Sequence, residues 1–414
     1  MIGIDGQYVF KFSLNNETDF INEEDLIKFT LIEKAGGTLP EFEFQFLSYD
    51  DALLSKLNET SKLLVSYGKD VRELADTSLS IQALESTRRG DDRRQIALVG
   101  YYSALKYLNQ TNSFFSENKS GVEVMRDIVA KHFIPDFNIE VSDDSQVWIQ
   151  PNQTDKAFIR ELWMHSYLTK SFPAIGITSD GRFLLRDVAK TFKEDFVYKF
   201  TNTALSEEDN AIPYDGDYSI KVQRGFINNW VGYDRERLTF KYEDGSQSLV
   251  KETIEPLLSL TQNFAKNAEI ERRFQSNAIL NQNMHSNYWK AANKNLAHLV
   301  QFGDTKITLT FTNIFAPIKI LDLVMFKDDQ VGSGRNQVAD AHSGLYLVSK
   351  VARNYENSQF TTVVELSRES MNEIKGESVS QVIDAEQALI EANQAAAEIS
   401  TEAATEATEA NGGT

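Results

Sequence analysis

Five histidines are the residues best suited to proton or metal chemistry: His132, His165, His285, His298 and His342. None falls into His-x-x-x-His or Glu-x-x-His, the helical spacings that aim two ligands at one ion, so no metal site is expected. Glu161 and His165 stand one helical turn apart, a spacing that reads as an exposed i,i+4 pair. No Gly-x-Ser-x-Gly elbow presents a nucleophile, and no Gly-rich loop ending in Gly-Lys-Ser/Thr cradles phosphate. Gly332-Ser333-Gly334, followed by Arg335 and Asn336, is loop punctuation. The 61 Asp and Glu leave room for one chemistry, a glycosidase-like carboxylate pair, which is defined by separation in space. Trp148, Trp163, Trp230 and Trp289 suit core or interface anchoring better than sugar stacking. The expectation is a protein with no catalytic residue, no cofactor and no metal. A carbohydrate-active protein, hydrolysing peptidoglycan or capsule, is the alternative.

Composition narrows the class further. The 414 residues exceed one ordinary core and call for about two to four domains. Cysteine is absent, which excludes disulfide staples and zinc-thiolate sites and fits assembly in a reducing cytoplasm. Met1 to Gly6 has no basic region followed by an apolar one, and no run of about 18 apolar residues occurs, so neither a signal peptide nor a membrane helix is expected. Net charge is −19, from 42 Lys and Arg against 61 Asp and Glu. Gripping DNA needs the opposite balance, because phosphate binding releases counterions to cations. The acid favours solubility, or a channel wall past which DNA slides without adhesion.

The elements that would position these residues fall into blocks. Residues 1–118 read as short strands. Ile27, Phe29 and Leu31 alternate with Lys28 and Thr30, and Phe42, Phe44 and Phe46 follow the Gly36-Gly37 turn, giving one buried and one wet face. Tyr8 to Phe12, Leu63 to Val65 and Ile96 to Val99 add strands, and Ser80 to Arg94 forms an exposed hairpin or loop. Residues 119–200 read as a small α+β domain. Ser120 and Glu123 have capping-box spacing before a helix with Val122, Val124, Met125, Ile128 and Val129 on one face, ended by Ile134-Pro135. A strand at Phe137 to Val141 and another at Trp148 follow. The second runs into a polar turn, and Thr154 or Asp155 caps a helix to about Leu168 whose inner face is Phe158, Ile159 and Leu162. The Asp180-Gly181 turn leads into the strand Phe183 to Leu185.

Residues 201–370 read as a second β domain, with two helices expected inside the insertion at about 253–300. Its strands are Tyr218 to Val222, Arg237 to Tyr242, Ile307 to Phe311, Ile318 to Met325, Gly344 to Val351 and Phe360 to Leu366. In the closing hairpin Leu345, Leu347 and Ser349 share one face, opposite Phe360, Thr362 and Val364. Residues 371–414 read as an acidic tail, expected to be helical, with a disordered low-complexity end beyond residue 400 as the alternative, and with ten acids and one lysine from Glu369 onward. Val382, Ala385, Leu389, Ala392, Ala396 and Ile399 fall on a and d positions of a heptad and make a candidate interface seam.

This order of elements resembles the phage baseplate hub proteins of the late-control D family and the N-terminal part of the VgrG spikes of type VI secretion. The resemblance rests on Trp148-Ile149-Gln150, Thr154-Asp155, Phe158-Ile159 and Leu162, then Asp180-Gly181 and Phe183 to Leu185. It extends to the hairpin Gly344 to Val348 with Phe360 to Leu366, and to the segment Asn283 to Tyr288. It implies two antiparallel tube-like β-barrel domains flanking the α+β domain. Three copies would then present six barrels and join a sixfold tail tube to a threefold central spike. The implied partners are a homotrimer, the tail tube protein, a separate spike protein, other baseplate proteins and DNA in passage. The implied location is the virion tail.

Overall fold

The computed structural model describes residues 9–14, 25–48, 61–68, 75–88, 93–169, 171–201, 211–212, 215–220, 226–234, 239–243, 271–279, 285, 287–302, 305–312, 317–327, 343–356 and 359–368. The first six strands are β1 (Val9–Leu14), β2 (Leu26–Lys34), β3 (Glu41–Ser48), β4 (Lys62–Gly68), β5 (Ala75–Arg88) and β6 (Arg94–Tyr102). They pair antiparallel in the order β1-β4-β5-β6-β3-β2. Phe29, Leu31, Phe42, Phe44, Phe46, Leu63, Val65, Ile96 and Leu98 fill one core beneath them. Each ring or branched chain so buried contributes roughly 1.5–3 kcal/mol.

Alternation located these strands well, and a bulge corrects one phase. The register slips between Leu26 and Lys28, so Leu26 is buried and Ile27 only partly. Of the hairpin or loop expected at Ser80 to Arg94, the hairpin is seen: among the described residues the ladder runs from Ser80 and Tyr101 out to Arg88 and Arg94. Gly36 and Gly37 adopt φ of 111° and 76°, as the tight turn between β2 and β3 requires.

The middle block follows. Helix α1 (Leu105–Asn109) leads to β7 (Thr111–Lys119), α2 (Gly121–Val129), β8 (Ile134–Phe137), β9 (Gln146–Thr154) and α3 (Asp155–His165). After them come β10 (Pro173–Ile177), β11 (Arg182–Asp187) and α4 (Val188–Thr191). The capping box is present: Glu123 N–H donates to Ser120 Oγ, and the Glu123 carboxylate accepts from Ser120 N–H at 2.8 Å. Thr154 caps α3 by accepting from Ala157 N–H.

Several expectations shift here. Helix α2 ends at its cap Ala130, not at Ile134-Pro135; those two residues open β8, an edge strand that tolerates proline. The strand expected at Phe137 to Val141 therefore lies at Ile134–Phe137, parallel to β11. No polar turn follows Trp148: β9 runs on to Thr154, with Asn152 at φ 48° where the ladder to β7 bulges. Helix α3 stops at His165, short of Leu168.

The remaining strands are β12 (Tyr198–Thr201), β13 (Ala211–Ile212), β14 (Asp215–Ile220), β15 (Phe226–Asp234), β16 (Thr239–Glu243) and β17 (Glu271–Ile279). Helix α5 (Tyr288–Phe302) precedes β18 (Thr305–Thr312), β19 (Leu323–Lys327), β20 (Gly344–Glu356) and β21 (Gln359–Arg368). Of the two helices expected in 253–300, α5 is present. Glu271–Ile279 is instead a strand, held parallel to β15. The strand expected from Ile318 starts only at Leu323, because Leu321 turns the backbone at φ 63°. A bulge between Val348 and Lys350 breaks the expected face of β20, so Tyr346, Leu347 and Val348 are all buried while Leu345 and Ser349 are only partly so. Phe360, Thr362 and Val364 share a buried face.

The two β halves share one sheet. The 13 residues of β20 do the joining: Gly344 to Leu347 pairs with β19, Lys350 to Glu356 pairs with β2, and β21 lies along its other edge. Among the described residues no ladder closes either half on itself; the path runs open from β1 to β13. The second half keeps its own core of Phe200, Ile307, Leu309, Phe311, Ile320, Val324, Tyr346 and Leu366. Helix α5 packs on the middle block, where Tyr288 and Ala292 join the core of Trp148, Phe158 and Leu162. The tail seam residues Val382, Ala385, Leu389, Ala392, Ala396 and Ile399 lie outside the described residues.

Candidate functional site: a polar junction and two outward faces

Period two puts Glu33 in phase with Phe29 and Leu31, and Arg353 in phase with Val351 and Tyr355, so both charges must point inward. They meet there. Arg353 Nη1 lies 2.5 Å from Glu33 Oε2, with both side chains almost wholly buried. Glu33 Oε1 accepts the Ser179 N–H at 2.6 Å, and Arg353 Nη2 donates to Ile318 O at 2.7 Å. Tyr67 places its hydroxyl 3.1 Å from Ser179 Oγ, with the guanidinium 5.5 Å from its ring centre. One ion pair thus collects β2 and β4 of the first half, the β10–β11 turn of the middle block, and β20 with the Ile318 segment of the second half.

The surrounding groups lock the same turn. Gly181 has φ 81°, and Asp180 accepts from Thr178 Oγ1 and, at 2.8 Å, from Lys319 Nζ. Asp322 Oδ2 accepts the Lys319 N–H at 2.8 Å; burial pushes its carboxyl up to about 6, against the pull of that hydrogen bond and of Lys319 and Arg186. Such a node fixes three units relative to one another.

Among the described residues, several histidines and carboxylates make buried structural contacts. His165 is buried, stacked on Tyr288 at 3.6 Å between ring centres, with Nδ1 2.9 Å from Tyr288 O. The exposed Glu161–His165 pair is therefore overturned: α3 turns His165 onto α5, while Glu161 accepts from Gln153. Burial depresses the His165 imidazole to about 4 and that of His298 to about 3. Asp144 accepts from Gly121 N–H, Ser142 Oγ and Tyr167 N–H, and burial raises it. Asp155, fully buried, lies 2.7 Å from His132 Nε2 and accepts from Gln150. Trp148 and Trp163 are core anchors donating to Lys119 O and Pro173 O; the side chains of Trp230 and Trp289 lie outside the described residues.

Two outward faces remain. On β2, β3 and β6 the side chains opposite the phenylalanine core form a charge-paired lattice: Lys28 with Glu43 at 2.8 Å, Lys34 with Glu41 at 3.4 Å, and Gln45 between Glu43 and Gln95. The Lys28 ammonium holds Glu43 below the usual carboxylate range. On the β7–β9 ribbon the cross-strand neighbours Phe115 and Ile149 are 60% and 48% exposed. Sequence reading missed β7, because its polar residues give no clean alternation. It also missed the Glu33–Arg353 pair, whose signal was two charges at inward phase.

No family model matches the sequence, and no curated protein matches it. Solved structures do match in fold. A tail protein from Neisseria meningitidis MC58 superposes with a TM-score of 0.55 at 9% identity, over 87% of this chain and 97% of that one. The 43 kDa tail protein of prophage MuSo2 from Shewanella oneidensis superposes with a TM-score of 0.55 at 10% identity, over 88% of this chain and 100% of that one. The chain has the fold of these tail proteins along nearly its whole length.

Proposed function

We propose that the chain is a structural baseplate hub protein. Three copies form a ring that joins a sixfold tail tube to a threefold central spike and lines the channel for DNA and tape-measure protein. The observation that carries this reading is the pairing of β2 with β20. It welds two β halves into one sheet, so a single chain can supply two wall segments at fixed spacing, and the buried Glu33–Arg353 pair locks the α+β block against both. The whole-chain likeness to two tail proteins supports it. The partners would be two further copies, the tube protein, a separate spike protein and other baseplate proteins, with DNA only in passage. The location would be the virion tail, after assembly in the host cytoplasm. The heptad residues Val382, Ala385, Leu389, Ala392, Ala396 and Ile399 would pack against a neighbouring subunit.

The test is direct. Light scattering of the purified chain should give three times the monomer mass, and electron microscopy a ring with a central hole. A strictly monomeric chain in the presence of tube and spike proteins refutes the adaptor. Release of sugar from peptidoglycan or capsule would favour the carbohydrate-active alternative.

A further inference from the structure

Three segments of the middle block meet around the His132–Asp155 pair. The Tyr107 ring lies 5.8 Å from that of His132, and His132 Nε2 is 2.7 Å from Asp155. Lys131 Nζ sits 5.6 Å from the Phe114 ring centre, and Phe114 packs on Phe158 of α3 at 6.2 Å. Residues 104–116, 128–135 and 156–160 contain Lys106, Lys131, Lys156 and Arg160 and no carboxylate, in a chain where about one residue in seven is acidic. All four cations are exposed, and Lys156 and Arg160 stand one turn apart on the outer side of α3. Four of the five acids that border them are engaged: Asp155 is buried against His132 and Gln150, Asp127 is 2.6 Å from Lys119, Asp136 is 2.9 Å from Arg186, and Glu161 accepts from Gln153, while Glu117 stands exposed at the edge.

We infer that this cationic face is the docking surface for the acidic segment 369–414 of a second copy of the chain. The inference rests on the trimeric reading above and names the surface and the partner segment. Charge complementarity argues for that occupant. The segment carries ten acids against Lys375 alone, whereas the chain as a whole is −19, so its like-charged surfaces elsewhere repel it. Its acids are also spaced for the task. Asp384, Glu391 and Glu398 recur every seven residues. On a helix they fall in one stripe at intervals of about 10 Å, at the outer c position turned away from the Leu389 and Ala396 seam.

The experiment uses full-length chains, half of them nitrogen-15 labelled, mixed and treated with a carbodiimide that joins lysines to carboxylates in contact. Mass spectrometry should find cross-links from Lys131 or Lys156 to acids of 369–414 between a heavy and a light chain. They should fall at least fivefold in about 0.5 M salt, and fall likewise in the variant Lys106→Glu, Arg160→Glu, which keeps both reactive lysines and whose fold is checked by circular dichroism. Cross-links confined to one chain, cross-links to other acids only, or insensitivity to the charge reversal overturns the inference. So does duplex DNA binding by the parent chain that the variant loses, which would assign the face to nucleic acid. Light scattering on the same samples separates the two ideas: a trimer without these cross-links sinks this inference and leaves the hub reading standing.

Discussion

Glu33 and Arg353 are 320 positions apart and share one buried contact, so neither can be changed alone without cost. Removing one member of a buried pair leaves the other charge without compensation, typically at about 3–5 kcal/mol. Glu33→Gln should therefore lower urea-unfolding stability by about that amount, and Glu33→Leu combined with Arg353→Met should restore most of it; equal losses in single and double variants would contradict the pairing. Asp322 makes the opposite case. Its folded carboxyl titrates at about 6 rather than 3.8, so the neutral form suits the fold. The contribution is favourable below the unfolded value and is lost as pH rises through 6. Asp322→Asn keeps an acceptor for the Lys319 N–H and should raise stability at pH 8 by about 1–3 kcal/mol, with the gain gone by pH 4. A gain independent of pH would show that ionisation is not its source.

Elements were legible where one rule acted alone. Phe42, Phe44 and Phe46 alternate in sequence and in space, and the Ser120–Glu123 box starts α2 as spacing requires. Legibility failed where tertiary pairing overrode local pattern: β17 took the place of a helix because β15 offers it a ladder, and β20 lost its phase at a bulge. The inward charges Glu33 and Arg353 stood in the sequence at core phase, but only the fold could bring them together. Helix α5 was foreseen, and its docking was not. It grips the middle block through polar contacts: Asn295 Nδ2 donates to Trp163, Met164 and Ser166 carbonyls, and Lys294 Nζ to those of Leu168 and Thr169. His165 stacks beneath Tyr288 as a neutral ring. Because burial holds its folded value at about 4, the unfolded chain binds this proton first as pH drops. Stability is full above 6.5 and declines down to about 4, by at most about 3 kcal/mol for this group. His165→Asn should flatten that decline, read as hydrogen exchange of the α5 amides at pH 7 and pH 4.5; an unchanged slope would place the titration elsewhere.

At the scale of the molecule the question is whether two β halves behave as one body. Their cores are distinct, one built on Phe29, Phe44 and Leu98, the other on Phe200, Phe311 and Tyr346. What joins them is the run of seven register pairs between β2 and β20, from Lys28 and Glu356 to Lys34 and Lys350, with the ion pair beside it. The ring proposed above would need this joint to be stiff, since a hinge between halves would spoil the spacing of its wall segments. Stiffness has a thermodynamic signature. If the ladder couples the halves, both unfold in a single cooperative transition. Proline cannot serve in a central strand, because it removes a ladder hydrogen bond. Ala352→Pro, opposite Ile32, should therefore split thermal unfolding into two transitions, one for each core, and abolish trimer formation while leaving much of the strand content intact. Two transitions already present in the parent chain would mean that the halves were never one body, and a hub whose halves unfold apart could not hold its ring.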